Sequence, residues 1–247
     1  MLFLFKKNAV LITNAHYKNI PVGHTLHKTM IAERRKKIMA VVLVLICVGF
    51  LALSLFVKYS PVNILDERFS KDVQQYQNPV LDTAMEIISW FGYFPGSIIM
   101  VVLATGIFLL LKYKREALFM LSTAFAGVVS TIFKIIVNRP RPSEPLVHVF
   151  KKASQQSFPS GHVLFYIVYF GFLTMLMIQL KDLPKSIRII IGSFSVFLIF
   201  SIPFSRIYLG AHWFTDVVGG VLIGIVCLYV LSYFYERKAT KQYENKA

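Results

Sequence analysis

The chain has 247 residues, of which 56% are hydrophobic and 16% are charged, and its net charge is +15. Soluble domains usually carry roughly 25% charged residues, so the composition excludes an ordinary soluble domain and indicates a membrane protein. The length leaves no room for a second large soluble domain. So positive a charge could favour nucleic-acid binding, but no motif of that kind is present. We therefore expect no nucleic-acid partner.

Six apolar segments are long enough to cross a bilayer, which needs about 20 apolar residues in a helix. They are Ile38–Val57, Ile87–Leu111, Ala117–Val137, Val163–Leu180, Ile187–Phe204 and Trp213–Tyr235. Pro95 and Gly96 interrupt the second segment, which membrane helices tolerate. The segment Tyr59–Glu86 is typical of an interfacial helix or a surface loop. We therefore predict an all-α fold, an integral membrane bundle of six transmembrane helices with the active site at the outer face.

Basic residues precede the first span, occupy the loops after the second and fourth spans, and follow the sixth. Positive charge marks the cytoplasmic side, so both termini are predicted to be cytoplasmic. Residues 1–37 would be a basic tail, residues 38–236 a six-span membrane domain, and residues 237–247 a second tail. The loop after the third span carries Arg139, Arg141, Lys151 and Lys152, although this topology places it outside. These charges therefore need a reason other than topology.

Three polar clusters stand at span ends that face outside in this topology. They are Lys134–Pro142, Phe158–His162 and Ser205–Asp216. Each has a simple explanation by itself: Lys134 could extend to the interface, Ser160 could cap a helix, and Trp213 could belong to an aromatic belt. Together they bring three cations, two histidines and one carboxylate to one membrane face. Ionisable groups there are costly and indicate a functional site.

These residue types suit phosphoryl transfer. Arginine and lysine side chains bind phosphate oxygens, and three such cations are available, Lys134, Arg141 and Arg206. Ser160 and Gly161 stand just before the fourth span, and backbone N–H groups at a helix N-terminus bind anions. We therefore expect a phosphate site formed by side chains and backbone together.

The spacing of His212 and Asp216 favours a histidine nucleophile. If both lie at the start of the sixth span, they share one helix face. Asp216 can then accept a hydrogen bond from one ring nitrogen of His212 and leave the other free to attack phosphorus. His162 can protonate the leaving alkoxide and then activate water, because histidine changes charge near neutral pH.

The patterns Lys-x6-Arg-Pro, Pro-Ser-Gly-His and Ser-Arg-x5-His-x3-Asp resemble those of the type 2 phosphatidic acid phosphatase superfamily, which includes the vanadium haloperoxidases. The resemblance covers about Ile87–Tyr235 and implies an all-helical bundle with metal-independent hydrolysis through a phosphohistidine. It implies catalysis by His162, His212 and Asp216. It implies phosphate binding by Lys134, Arg141, Ser160, Gly161 and Arg206. Arg139 could touch phosphate or lie in solvent, and we favour the solvated position.

We therefore expect a membrane lipid phosphate phosphatase that acts on phosphatidylglycerophosphate, phosphatidic acid or undecaprenyl pyrophosphate. No cofactor and no metal are expected, because no cluster of carboxylates or histidines has metal-ligand spacing. A lipid phosphotransferase would use the same residues. A membrane protein that binds anionic lipids without cleaving them would need the cations but not the pair His212–Asp216.

Overall fold

A computed structural model describes residues 22–150 and 155–244. Within these residues the chain forms nine helices and no strand. They are α1 (Val22–Tyr59), α2 (Ile64–Gln74), α3 (Pro79–Trp90), α4 (Gly96–Leu110), α5 (Lys114–Ser122), α6 (Phe125–Val137), α7 (Gly161–Gln179), α8 (Lys185–Tyr208) and α9 (Phe214–Glu244). The predicted all-α membrane fold is confirmed.

Five helical segments of the described residues are long and apolar enough to cross a membrane. They are Glu33–Tyr59 in α1, Lys114–Val137 across α5 and α6, Gly161–Gln179, Lys185–Tyr208 and Phe214–Arg237. The sixth apolar helix, α4, has 15 residues, or about 22 Å at 1.5 Å per residue. The chain is therefore a multi-pass membrane protein whose second apolar segment is shorter than predicted.

The second predicted span, Ile87–Leu111, is divided between two helices. Its first residues complete α3, and α4 begins only at Gly96. Pro95 lacks a backbone N–H and disfavours a helical conformation in the residue before it, so the chain turns between Trp90 and Gly96. This turn reaches the functional site.

The two predicted tails overlap the ends of the first and last helices. Helix α1 already begins at Val22 and α9 continues to Glu244, so part of each basic segment is helical. Residues 1–21 and 245–247 of these tails lie outside the described residues. The predicted interfacial segment Tyr59–Glu86 forms α2 and most of α3.

Helix α7 is the centre of the bundle and packs against α6, α8 and α9. Its side chains are buried on all faces, among them Val163, Tyr166, Phe172 and Leu176. A helix that is apolar all round is suited to such a position. The surrounding helices expose large apolar side chains, such as Phe200 of α8, which lipid chains can cover.

Glycines of α9 let this helix approach the start of α7 closely. A Cβ atom on Gly220 would lie 2.8 Å from the carbonyl oxygen of Ser160 and 3.0 Å from Cβ of Val163. Small residues allow such approaches between membrane helices. The start of α9 is thereby held against the start of α7. The end of α6 and the end of α8 lie at the same end of the bundle.

Replacing Gly220 with alanine should therefore destabilise the bundle. Overpacking costs about 1–3 kcal/mol, which corresponds in a chain of 247 residues to a fall of about 2–12 °C in the midpoint of thermal unfolding. Gly106→Ala in α4 is the matched control, because a Cβ atom there meets nothing within 4 Å. Equal unfolding midpoints for the two variants would contradict the close contact of α7 and α9.

Candidate active site

The helix ends enclose a cavity of about 470 Å³. Six of the eight predicted site residues line it: Lys134, Arg141, Gly161, His162, Arg206 and His212. The other two, Ser160 and Asp216, are fully buried and adjoin Gly161 and His212. The structure therefore brings the whole predicted set together.

His212 and Asp216 meet through a turn rather than along a helix. His212 lies two residues before α9, and Asp216 lies in the first turn of α9. The Asp216 carboxylate reaches back and accepts a hydrogen bond from the N–H of Trp213 at 2.9 Å, as acidic residues do in a capping box. This places Oδ2 of Asp216 3.5 Å from Nδ1 of His212. The other ring nitrogen, Nε2, lies 3.3 Å from Nη1 of Arg141.

His212 is electrostatically suited to act as a base or a nucleophile. It is 1% exposed and lies in the turn between α8 and α9. Burial, and then the nearby charges of Arg141 and Lys134, lower its pKa well below the ordinary value of 6.5. The ring is therefore neutral at neutral pH and keeps a lone pair on one nitrogen.

The loop between α3 and α4 fits closely against His162. The ring of Tyr93 makes an edge contact with the ring of His162, with 4.7 Å between centroids. A Cβ atom on Gly92 would lie 2.3 Å from Cδ2 of His162. Nε2 of His162 is buried without a hydrogen-bond partner among the described residues. This nitrogen is therefore left for a group that enters the cavity.

Backbone carbonyls hold two of the three cations. Lys134 donates to the carbonyl of Gln156 through Nζ. Arg141 donates to the carbonyl of Gln155 through Nε at 2.7 Å and to that of Ala211 through Nη1 at 2.6 Å. These contacts fix the two side chains without neutralising their positive charge.

Hydroxyl groups hold the third cation, Arg206. Its Nη1 donates to Oγ of Ser89 at 2.8 Å and to the hydroxyl of Tyr93 at 3.1 Å, while Nε is buried without a partner in the described part of the chain. Among the described residues, no carboxylate forms an ion pair with any of the three cations. Their charge is therefore available to an anion in the cavity.

One of the two backbone N–H groups predicted to bind phosphate at the start of α7 is occupied. The N–H of Ser160 donates to the backbone carbonyl of Asp216 at 3.0 Å, so it joins two parts of the site and is not available to a phosphate. Gly161 is the first residue of α7, where N–H groups have no acceptor within the helix. The hydroxyl of Ser160 is buried without a partner among the described residues.

The prediction that Arg139 lies in solvent is wrong. Its side chain is 1% exposed, and its Nη1 donates to Oδ1 of Asp216 at 2.6 Å and to Oγ1 of Thr215 at 2.7 Å. The physical reason is that a buried carboxylate requires compensating donors, and Arg139 supplies one to the Asp216 oxygen that turns away from His212. Arg139 does not line the cavity.

Ser157 is a site residue that the sequence motifs did not reveal. Its hydroxyl donates to Oδ2 of Asp216 and lies 3.4 Å from Nδ1 of His212. It stands three residues before Ser160, in a segment with no regular periodicity. Ser89 and Tyr93, which hold Arg206, were missed for a similar reason, because they come from a segment interpreted as a membrane span.

Comparison with known proteins decides the family. The sequence profile of the PAP2 superfamily matches residues 115–239. The chain belongs to the PAP2 superfamily. The three motifs of the candidate site lie within the matched region, so the resemblance predicted from them is confirmed.

Individual relatives support the same classification. Phosphatidylglycerophosphatase B of Bacillus subtilis is 30% identical over 194 residues, which cover 76% of this chain and 92% of that protein. Undecaprenyl-diphosphatase of Sulfolobus acidocaldarius is 31% identical over 125 residues, 49% of this chain and 56% of that protein. The crystal structure of a transmembrane PAP2 type phosphatidylglycerolphosphate phosphatase from Bacillus subtilis has a TM-score of 0.68 at 24% identity, covering 79% of this chain and 96% of that chain. This PAP2 protein is a membrane phosphatase that hydrolyses phosphate esters.

Replacing Gly92 with alanine should displace the His162 ring. We expect the kcat of phosphate release to fall by at least about tenfold with little change in KM, since small misplacements of a reacting group cost up to about 100-fold. Gly96→Ala is the control from the same turn, because its Cβ would make only an ordinary contact at 3.5 Å. A Gly92→Ala enzyme with wild-type kcat would show that this contact does not position His162.

Proposed function

We propose that this lipid phosphate phosphatase forms a phosphohistidine at His212 and acts on phosphatidylglycerophosphate, phosphatidic acid or undecaprenyl pyrophosphate. One observation carries the proposal. A neutral histidine, with a buried carboxylate 3.5 Å from its Nδ1, lies at the wall of a cavity whose three cations have no carboxylate partner among the described residues. Binding alone would need the cations but not the oriented histidine.

The cations would hold the substrate phosphate before reaction. Lys134, Arg141 and Arg206 supply the positive charge, and the N–H of Gly161 at the start of α7 adds a backbone donor. Because these groups are already fixed by carbonyls and hydroxyls, they need little reorganisation as charge moves to the equatorial oxygens in the transition state.

The two histidines would divide the reaction into two steps. In the first step Nε2 of His212 attacks phosphorus and the bond to the lipid oxygen breaks. His162, whose protonated form the negative charge of the bound phosphate favours, donates its proton to that oxygen. The Asp216 carboxylate, whose Oδ2 lies 3.5 Å from Nδ1 of His212, stabilises the positive charge that develops on the ring. In the second step His162 takes a proton from water, the water oxygen attacks phosphorus, and the bond to His212 breaks.

The lining of the cavity supports a lipid substrate. Besides the three cations and the two histidines, mainly small or apolar residues line the cavity, among them Ile98, Ala124, Gly127 and Phe165. Such a surface suits the apolar part of a lipid next to the phosphate. The names of the two relatives described above refer to lipid phosphates, which supports the same substrate class.

The charge distribution supports an outward-facing site. The basic loops between α4 and α5 and between α7 and α8 lie at the helix ends away from the cavity. Positive charge favours the cytoplasmic side. The two termini would therefore be cytoplasmic and the cavity would open at the outer face, within reach of lipids of the outer leaflet.

Phosphate release from purified protein tests this proposal. The three lipids are presented separately in detergent micelles, with and without EDTA. We expect release from at least one lipid, unchanged by EDTA, since the described residues contain no group of three or more histidine, cysteine or acidic side chains suited to a metal ion.

His212→Ala should abolish this release, because it removes the nucleophile. His148→Ala is the matched control, since this histidine has a half-exposed side chain and does not line the cavity. Turnover by His212→Ala at the wild-type rate would refute the assigned nucleophile. No release from any of the three lipids by the wild-type protein would refute the proposed substrates.

A further inference from the structure

Helix α2 carries a carboxylate into the interior of the bundle. Asn63 caps the helix by accepting a hydrogen bond from the N–H of Asp66 at 3.0 Å. The side chain of Asp66, in the first turn, is fully buried, and α2 packs against α8 and α9. Asp66 lies outside residues 115–239, which match the superfamily, so that match assigns it no role.

Asp66 accepts two hydrogen bonds from Thr215, in the first turn of α9. Its Oδ1 accepts a hydrogen bond from the N–H of Thr215 at 2.8 Å, and its Oδ2 accepts one from the hydroxyl of Thr215 at 2.8 Å. Thr215 directly precedes Asp216, so these two bonds hold the turn of α9 from which the Asp216 carboxylate projects.

Arg139 connects the two carboxylates. Its Nη2 donates to Oδ2 of Asp66 at 2.5 Å, its Nη1 donates to Oδ1 of Asp216 at 2.6 Å, and its Nε donates to the carbonyl of Pro61 at 2.9 Å. None of the three charged side chains is more than 1% exposed. A continuous row of ionisable side chains therefore leads from α2 to Nδ1 of His212.

We propose that Asp66 and Arg139 are positioning residues for the phosphatase reaction, acting through Asp216 on His212. This inference rests on the proposed function. Arg139 alone would neutralise Asp216, whereas Asp66 restores a net negative charge to the group. The His212 ring gains positive charge as Nε2 attacks phosphorus, and this net negative charge stabilises it.

Replacing Asp66 with asparagine separates this role from a structural one. The amide keeps the size and an acceptor for the N–H of Thr215, but it removes the charge and the oxygen that accepts from Arg139, so Arg139 then acts on Asp216 alone. We expect kcat to fall by about 10- to 100-fold while KM changes less than about twofold, because the residues that hold the phosphate are untouched. The control is Asp72→Asn, an exposed acidic residue of the same helix, which should keep wild-type kcat.

Variants of Arg139 test whether the two residues act as a unit. Arg139→Gln should lower kcat by about 100-fold, because the Asp216 carboxylate loses the donor that holds its Oδ1 and can move away from His212. Arg139→Lys should recover part of the loss, because it restores a donor to this oxygen. The double variant Asp66→Asn with Arg139→Gln should lose less than the product of the two single losses, because both act through Asp216. If the kcat loss of the double variant equals the product of the two single losses, Asp66 and Arg139 do not act through the same residue.

Thr215→Val provides a second approach that keeps the two charges. It removes the hydroxyl that bridges Arg139 and Asp66 at 2.7 and 2.8 Å without changing the volume much, and kcat should fall by about fivefold at constant KM. The Thr215→Val variant tests the positioning role if Asp66→Asn yields no folded protein. A wild-type kcat in Thr215→Val would then overturn the proposal.

The outcomes also separate this inference from the proposed function. Phosphate release by the wild-type protein and its loss in His212→Ala establish the function independently of Asp66. Given those two results, a folded Asp66→Asn protein with wild-type kcat, or with a raised KM alone, overturns the positioning role. A wild-type protein that releases no phosphate from any of the three lipids overturns both.

Discussion

The charge of Arg139 is the constraint around which this end of the bundle is organised. Moving an isolated ion out of water costs several kcal/mol, and a buried ion is tolerated only with good partners. Arg139 finds two, Asp66 on α2 and Asp216 on α9. Because the three groups come from distant parts of the chain, their mutual compensation fixes α2, the segment after α6 and the start of α9 against one another.

The cations of the cavity follow the opposite pattern. Lys134, Arg141 and Arg206 are held by carbonyls and hydroxyls, and none forms an ion pair with a carboxylate of the described residues. A cation held in this way attracts an anion more strongly than one already paired. The charged groups around Asp216 are therefore paired with one another. The cations around the place where a phosphate would bind have no carboxylate partner among the described residues.

Much of this arrangement could be predicted from the sequence, because the motif residues combine costly charge with span ends. A lysine, two arginines and two histidines at the ends of apolar segments have few structural explanations, and the alternation of spans brings those ends together. The existence and type of the long helices followed from apolar length alone. The second span was the exception, because its apolar run continues through the turn at Pro95 that ends one helix and precedes another.

The missed residues share a different property, since their role depends on partners that are distant in the chain. Asp66 is an acidic residue in a polar helix, and nothing local distinguishes it from the exposed Asp72. Arg139 stands between Asn138 and Pro140, which is typical of a solvated loop, and only the position of Asp216 shows why it is buried. Ser157 likewise gains its role from the fold.

The most direct test of this account is to identify the covalent intermediate. Wild-type protein is mixed with a lipid phosphate that it hydrolyses, denatured within milliseconds at alkaline pH to preserve phosphohistidine, digested, and examined by mass spectrometry. We expect one phosphoryl group on the peptide that contains His212, located on that ring, and none in the same peptide from His212→Ala. Rapid turnover with phosphate on another residue, or with no phosphorylated peptide at any time, would contradict it.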